Sequence, residues 1–258
     1  MPLSHTNDFK KEIVSCLPRS VSTYFIKLYQ HHIDLHYKIA HQPIMEQKIA
    51  LITGASRGLG AALTEAIATT HHVIAVARTT GALEDLDDRI QEKGGKITLA
   101  PMDITKKEAM AHLCKSLFER WGMIDLWAHT AIHASPLTPA DSLDAKDWEK
   151  SIAVNVTATG NLIPYVAPLL RDSSNVIFFE DSQSGKKFFS AYGATKAAQI
   201  ALAKSWQAEN TRFGPKIKIV SPAAMPTQTR ARFYPGEDKT ILKSPKSEAE
   251  RILSCIVQ

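Results

Sequence analysis

Long hydrophobic runs are missing from this 258-residue chain: no stretch approaches the ~18 uninterrupted apolar residues that a membrane span requires. Cysteine is scarce. Cys16, Cys114 and Cys255 are odd in number, far apart and outside any C-x-x-C pattern. That points to a reducing compartment, taken here as the cytoplasm, and against disulfides or structural zinc. No block of Lys and Arg with interleaved aromatics occurs, and the net charge of +5 is spread thinly, so nucleic acid is not an expected partner. A third ligand is wanting beside His32 and His36, four residues apart, which are therefore read as a solvated or packed pair with no metal assigned.

What is present is apolar material for one buried sheet, with 44% hydrophobic and 22% charged residues. From Lys48 onward, short β-branched runs alternate with longer helical stretches. The expected strands are Lys48–Thr53, His72–Ala77, Lys96–Pro101, Ile124–Thr130, Asn175–Phe179 and Lys216–Ser221. They are nearly continuous apolar runs, as strands covered on both faces should be. Helical patterns run through Leu59–Thr69, Lys106–Trp121, Trp148–Leu170, Ala191–Arg212 and Glu248–Val257. This alternation predicts an α/β fold: a Rossmann-type, doubly wound parallel sheet of about six strands in the order 3-2-1-4-5-6.

Residues 1–44 differ in character. They hold five of the ten histidines, and apolar residues from Val21 to Ile39 follow helical spacing, predicting a helix through about 21–40. The segment lacks a signal-peptide core and the Arg content of a transit peptide. It reads either as an N-terminal helical extension or as a gene-calling artefact upstream of a start at Met45, with residues 45–258 forming the catalytic domain.

The first strand leads into Thr-Gly-Ala-Ser-Arg-Gly-Leu-Gly at 53–60 and then a helix. Gly54, Gly58 and Gly60 permit a tight turn and close backbone approach to a pyrophosphate, with Ser56, Arg57 and Leu59 between them, and the helix N-terminus offers N–H groups to phosphate. The second strand ends at Arg78, where an acidic residue would bind a free ribose 2′-hydroxyl. Arg78 together with Arg57 suits a 2′-phosphate instead, so the expected coenzyme is NADP(H). Farther on, Tyr192 and Lys196 stand four apart on a helix and project from one face. A nearby ammonium lowers a tyrosine's pKa toward the working range of an acid/base. Ser182, ten residues upstream of Tyr192, follows the fifth strand.

With Asp103 after the third strand and Asn155 in Val-Asn-Val, these motifs stand in an order that resembles the short-chain dehydrogenase/reductase family over roughly residues 46–230. The resemblance implies hydride transfer between nicotinamide and a small carbonyl or secondary-alcohol substrate. Tyr192 would be the acid/base, Ser182 would orient the reacting oxygen, and Lys196 would bind the nicotinamide ribose and tune Tyr192. Asn155 would hold a relay water. Asp103, beside Ile104, would meet the adenine, and Thr227 the nicotinamide carboxamide. Each has a plainer structural reading: Asp103 as the cap of a helix beginning near Thr105, Asn155 as a satisfied helix amide, Ser182 as a turn former.

The chain departs from the family pattern in several places. His129-Thr130-Ala131-Ile132 stands for Asn-Asn-Ala-Gly, putting isoleucine where glycine would let a coenzyme approach. Glu180 and Asp181 add charge next to Ser182, the loop to Tyr192 is short, and the family's last strand is wanting after Glu248–Val257. That strand helps build one subunit interface, so the family's tetramer is not assumed, and a homodimer through the helices around 148–170 and 191–212 is a reasonable assembly. A competing expectation is a catalytically weak dinucleotide-binding sensor of the same fold.

Overall fold

The computed structural model describes residues 47–256. The chain divides into two units, Met1–Glu46 and Gln47–Gln258, and all that follows concerns the second. The helix expected through 21–40 and the His32/His36 pair lie outside the described residues.

Six parallel strands form one sheet in the order β3-β2-β1-β4-β5-β6. They are β1 (Lys48–Thr53), β2 (His71–Ala77), β3 (Lys96–Pro101), β4 (Ile124–His129), β5 (Leu170–Phe179) and β6 (Lys216–Val220). The connecting helices are α1 (Gly58–Ile67), α2 (Thr80–Gln91), α3 (Lys107–Trp121), α4 (Ala145–Ser151), α5 (Ala158–Val166), α6 (Ser190–Glu209), α7 (Gln228–Phe233) and α8 (Pro245–Ser254). The expected fold class and strand order are thus those observed. No described helix is long and apolar enough to cross a membrane.

Alternation along each buried strand feeds two separate cores. Ile49, Leu51, Trp127 and Phe178 face one side, where they pack with Met110 and Leu117 of α3, Leu162 of α5 and Trp206 of α6. Ala50, Ile52, Leu126 and Ile177 face the other, against Leu63 of α1, Leu86 of α2 and Ile252 of α8. Both faces being covered explains why the strands read as unbroken apolar runs.

The helix expected over Trp148–Leu170 is broken. α4 passes into a π-helical turn, Ile152–Thr157, then α5, then a 3-10 turn at Ala167–Leu169. Pro164 lies inside α5, and β5 starts at Leu170, five residues before the strand that was expected. The early part is irregular: its register against β4 shifts between Ile124 and Leu126, and the buried Ser174 hydroxyl donates to the Ile124 carbonyl at 2.7 Å. Ser174 Oγ also accepts from the Arg171 N–H at 2.9 Å, so a side chain serves the irregular stretch where a regular ladder would use backbone groups.

Two contacts hold the loops above the sheet. Gly60 lies so close to the chain that a Cβ there would sit 2.3 Å from the Gly54 carbonyl oxygen and 2.5 Å from Thr130 Oγ1. Glu248 of α8, 3% exposed, accepts from Arg251 Nε and Nη2 and from the Ala223 N–H, the last at 2.9 Å. This pins the loop after β6 that leads to Thr227.

Candidate active site

The chain leaves the carboxyl ends of β1 and β4 toward opposite faces of the sheet, where the strand order reverses, and a cleft of about 1130 Å³ opens there. Gly54, Ser56, Arg57, Gly58, Leu59, Gly60, Arg78, Asp103, Ile104, Ser182, Tyr192, Lys196 and Thr227 all line it. Asn155 does not. It is fully buried and sits behind the cleft.

At one end of the cleft, α1 begins at Gly58, and its N-cap residue Arg57 provides no side-chain cap to the first-turn N–H groups. Those groups, with the helix dipole, suit a phosphate. Gly54 (φ +91°) packs so tightly that a Cβ would lie 2.5 Å from the Ala131 nitrogen. The glycines therefore serve backbone-to-backbone packing that shapes the cradle. Arg78 stands exposed at the end of β2, 3.9 Å from the Asp103 carboxylate. Arg57 donates to the Gln228 amide oxygen of α7. Asp103 caps no helix: its Oδ1 accepts from the Thr105 N–H and hydroxyl, both at 2.9 Å, and α3 starts later with an uncapped Lys106. Thr227 caps α7, accepting from the Arg230 N–H at 3.2 Å.

Asn155 lies in the π-helical turn, a feature common at functional sites. Its side chain accepts from the His133 N–H at 2.7 Å and donates to the His133 carbonyl and to Thr195 Oγ1, both at 2.9 Å. Both amide N–H groups and one acceptor site of its oxygen are used in joining the β4 loop to α6. Ile132 lines the cleft and packs with the cluster of Phe189, Tyr192 and Phe233 at its wall.

Tyr192 and Lys196 are 4% and 6% exposed on the same face of α6. Phe233 packs 4.7 Å from the Tyr192 ring. The electrostatics differ from the expected pairing. Burial foremost, and then the charge and hydrogen bond of Asp181, push the phenol above its ordinary range. The hydroxyl donates to Asp181 Oδ2 at 2.7 Å. Lys196 is not what sets the phenol here: its ammonium donates to Gln199 Oε1 at 2.6 Å, and burial brings it down to about 8 against the pull of Asp181 and Glu180. Ser182 is exposed at the cleft lip.

Behind Lys196 runs a hydrogen-bonded chain that sequence reading missed. Lysine has only donors, so it fixes which end of Gln199 is oxygen, and Gln199 Nε2 then donates to Thr159 Oγ1 at 2.9 Å. Thr159 donates to the Asn155 carbonyl at 3.0 Å, which leaves it to accept from His129 Nε2, also 3.0 Å away. His129 Nδ1 accepts from the Thr53 hydroxyl at 2.7 Å. Complete burial, aided by the Lys196 charge, holds His129 down to about 3, so the imidazole is neutral. The only signal for this chain was histidine at a position where the family carries asparagine.

A family model described as short chain dehydrogenase matches residues 48–238. The chain belongs to that family. It is an oxidoreductase of the short-chain dehydrogenase type, a family that works with nicotinamide coenzymes. An uncharacterized oxidoreductase of Staphylococcus saprophyticus is 29% identical over 222 residues, covering 83% of this chain and 93% of that protein. One from Staphylococcus aureus is 28% identical over 226 residues, with the same coverage. Among solved structures, a short chain dehydrogenase from Salmonella enterica superposes with a TM-score of 0.74 at 23% identity, covering 83% of this chain and 91% of that one. An alcohol dehydrogenase from Thermococcus sibiricus, complexed with 5-hydroxy-NADP, gives 0.73 at 24% identity, covering 83% and 92%. A 7α-hydroxysteroid dehydrogenase bound to NADH and 7-oxo glycochenodeoxycholic acid gives 0.70 at 21%, covering 81% and 87%.

Proposed function

We propose that residues 45–258 form an NADP(H)-dependent reductase or dehydrogenase acting on a carbonyl/secondary-alcohol pair, with Tyr192 as its acid/base. The observation that carries this reading is the burial of Tyr192 and Lys196, side by side on α6, in the cleft that also receives the glycine loop and Arg78.

The residues fit a nicotinamide dinucleotide phosphate. The uncapped start of α1 suits its pyrophosphate, and Arg78 and Arg57 offer guanidinium groups for a 2′-phosphate. Asp103 and Ile104 would border the adenine, Lys196 the nicotinamide ribose, and Thr227 the carboxamide. NADPH supplies a hydride to the carbonyl carbon when bound. The protein's part is protonic: the Tyr192 O–H bond breaks, its proton passes to the carbonyl oxygen, and the phenolate is reprotonated from solvent. Ser182 orients that oxygen from the cleft lip. Asn155 holds His133 and Thr195 in place, which keeps the β4 loop against α6. The Thermococcus enzyme's NADP-type ligand supports the coenzyme choice; the hydroxysteroid enzyme's NADH marks the alternative that Arg78 argues against.

The test is NADPH oxidation with a panel of aldehydes and ketones. Tyr192→Phe should abolish turnover while leaving NADPH affinity nearly unchanged, since general acid help is worth ~10²–10⁴-fold. Arg78→Asp should reverse the preference for NADPH over NADH. Undiminished turnover in Tyr192→Phe sinks the mechanism. NADPH binding without turnover of any carbonyl would favour the sensor.

A further inference from the structure

Asp181 is the one acid in contact with the Tyr192 hydroxyl among the described residues, and the sequence reading noted it only as stray charge. It follows β5 by two residues, and the family-like serine is its neighbour, Ser182. The serine is exposed, whereas the Asp181 carboxylate reaches back to take the phenol's hydrogen bond at 2.7 Å. Resting on the reading of Tyr192 as acid/base, we propose that Asp181 is a positioning residue for it. Its carboxylate keeps the proton on the phenol oxygen and aims it, setting the site to donate to a carbonyl and deferring abstraction from an alcohol to alkaline pH.

Asp181 also acts through its charge on Lys196 and Arg230, but both cations have hydrogen-bond partners of their own. Of the cations nearby, Lys196 on α6 spends its ammonium on Gln199. Arg230 on α7 is closed on both oxygens of Glu237 and lies 4.0 Å over the Tyr234 ring. Glu180, beside Asp181, faces Lys204 at 3.3 Å. Tyr234 gives its hydroxyl to Gln183, and Phe189 and Phe233 wall in the Tyr192 ring. His133, Asp147, Lys150 and Arg232 line other parts of the same cleft, and His129 lies buried behind Lys196.

Ionising the phenol in this setting puts two negative oxygens at hydrogen-bond distance in a half-dry pocket, and like charges so close do not both ionise readily. Carbonyl reduction escapes the penalty because hydride delivered to the carbonyl carbon leaves the carbonyl oxygen alkoxide-like, a base strong enough to accept even a reluctant phenol's proton. The resulting phenolate beside Asp181 then regains a proton from solvent. Alcohol oxidation has no such escape: it must begin from the phenolate.

The experiment is an absorbance titration of tyrosinate on the full chain, comparing wild type with Asp181→Asn, each read against its Tyr192→Phe counterpart so that the difference isolates Tyr192. Circular dichroism follows the fold alongside. In the wild type, Tyr192 should stay protonated up to alkaline unfolding. Asp181→Asn keeps the shape and an acceptor, and should bring the ionisation down by at least about one pH unit, toward the ordinary tyrosine value near ~10. Asp181→Glu should restore the wild-type behaviour, and Asp181→Ser serves if the asparagine variant does not fold. With an active substrate pair, the pH at which alcohol oxidation rises should fall by at least about one unit in Asp181→Asn, following the phenol. A Tyr192 step in the ordinary range in the wild type, an unmoved step in Asp181→Asn, or an unmoved pH profile of alcohol oxidation overturns the proposal. If no carbonyl or alcohol reacts although NADPH binds, the proposed function falls instead, and the titration alone decides whether Asp181 holds the proton.

Discussion

Moving from neutral to mildly acid pH should cost this protein stability, with His129 the largest single contributor. Its imidazole is 1% exposed and held down to about 3, against an ordinary 6.5. The direction follows from proton counting. Below its unfolded value the free imidazole binds a proton that the folded one refuses, so stability falls as pH falls from about 6.5 toward about 3. Between about pH 7 and about pH 5 the unfolded chain gains roughly 1.5 pH units of protonation free energy at ~1.36 kcal/mol each, a loss of about 2 kcal/mol. For a domain of this size that is a fall of about 4–8 °C in Tm. The hydrogen bonds explain why the fold cannot adapt. Thr53 Oγ1 already accepts from Trp127 Nε1 at 3.3 Å and gives its own proton to Nδ1, so a charged ring would have to displace it toward the Ala128 carbonyl, 3.4 Å away.

The assay compares thermal unfolding of wild type and His129→Asn at both pH values. Asparagine cannot charge, and it reaches only part of the Thr53–Thr159 span, so a baseline loss of about 1–3 kcal/mol at neutral pH is expected. The prediction concerns the slope. His71, His72 and His133 are also depressed, chiefly by burial, and add acid sensitivity that both proteins share. The variant should therefore lose about 2 kcal/mol less than wild type on acidification. Equal losses in the two proteins would show that His129 accepts a proton in the fold, and the reasoning about its neutral state would fail.

Three further outcomes can be checked by the same melts. Gly60→Ala should destabilise by about 1–3 kcal/mol, because its Cβ would meet the Gly54 carbonyl and Thr130, whereas Gly81→Ala, with open space around it in α2, should stabilise by about 0.5 kcal/mol; equal effects would refute the packing account. Phe188, at φ +69° and 44% exposed, is a non-glycine residue in left-handed conformation, so Phe188→Asn should raise stability by about 0.5–1 kcal/mol, and a lower Tm would refute the strain. Glu248→Ala should cost about 1–3 kcal/mol and weaken NADPH binding through the loosened Ala223 loop; an unchanged coenzyme Kd would detach that loop from the site.

How much of this was legible in the sequence follows from how local each signal is. β1 stands where its apolar run puts it, residue for residue, because a strand buried on both faces announces itself by composition alone. The edge strand β3, only partly buried, also keeps its expected bounds. The glycine loop and the Tyr192/Lys196 pair were equally legible, being short motifs whose geometry a single helix or turn enforces. The 148–170 stretch was not, since its apolar spacing is the same whether the helix is continuous or interrupted by a π turn. What interrupts it is the demand that Asn155 reach His133 and Thr195 from across the core. The electrostatics of the site were least legible of all. An i, i+4 spacing shows that Lys196 and Tyr192 share a face, but not which acceptors compete for them.

Those competitors come from far away in sequence and close in space. Asp181 reaches Tyr192 from the loop after β5, and Gln199 takes Lys196 from one turn further along α6. Gln199 then depends on Thr159, Thr159 on His129, and His129 on Thr53, the residue that opens the glycine loop. The buried chain therefore joins the ammonium in the cleft to the end of β1 without a break. A charge forced onto His129 would be felt at Lys196 both through the rotated Thr159–Gln199 bonds and as direct repulsion. Because folded His129 stays neutral down to about pH 3, it should not weaken NADPH binding between about pH 7 and about pH 5, although stability falls over the same range. Dissociation constants measured across that range in wild type and His129→Asn should therefore keep a constant ratio. A gap that widens on acidification would show that His129 takes a proton within the fold and passes its charge to Lys196.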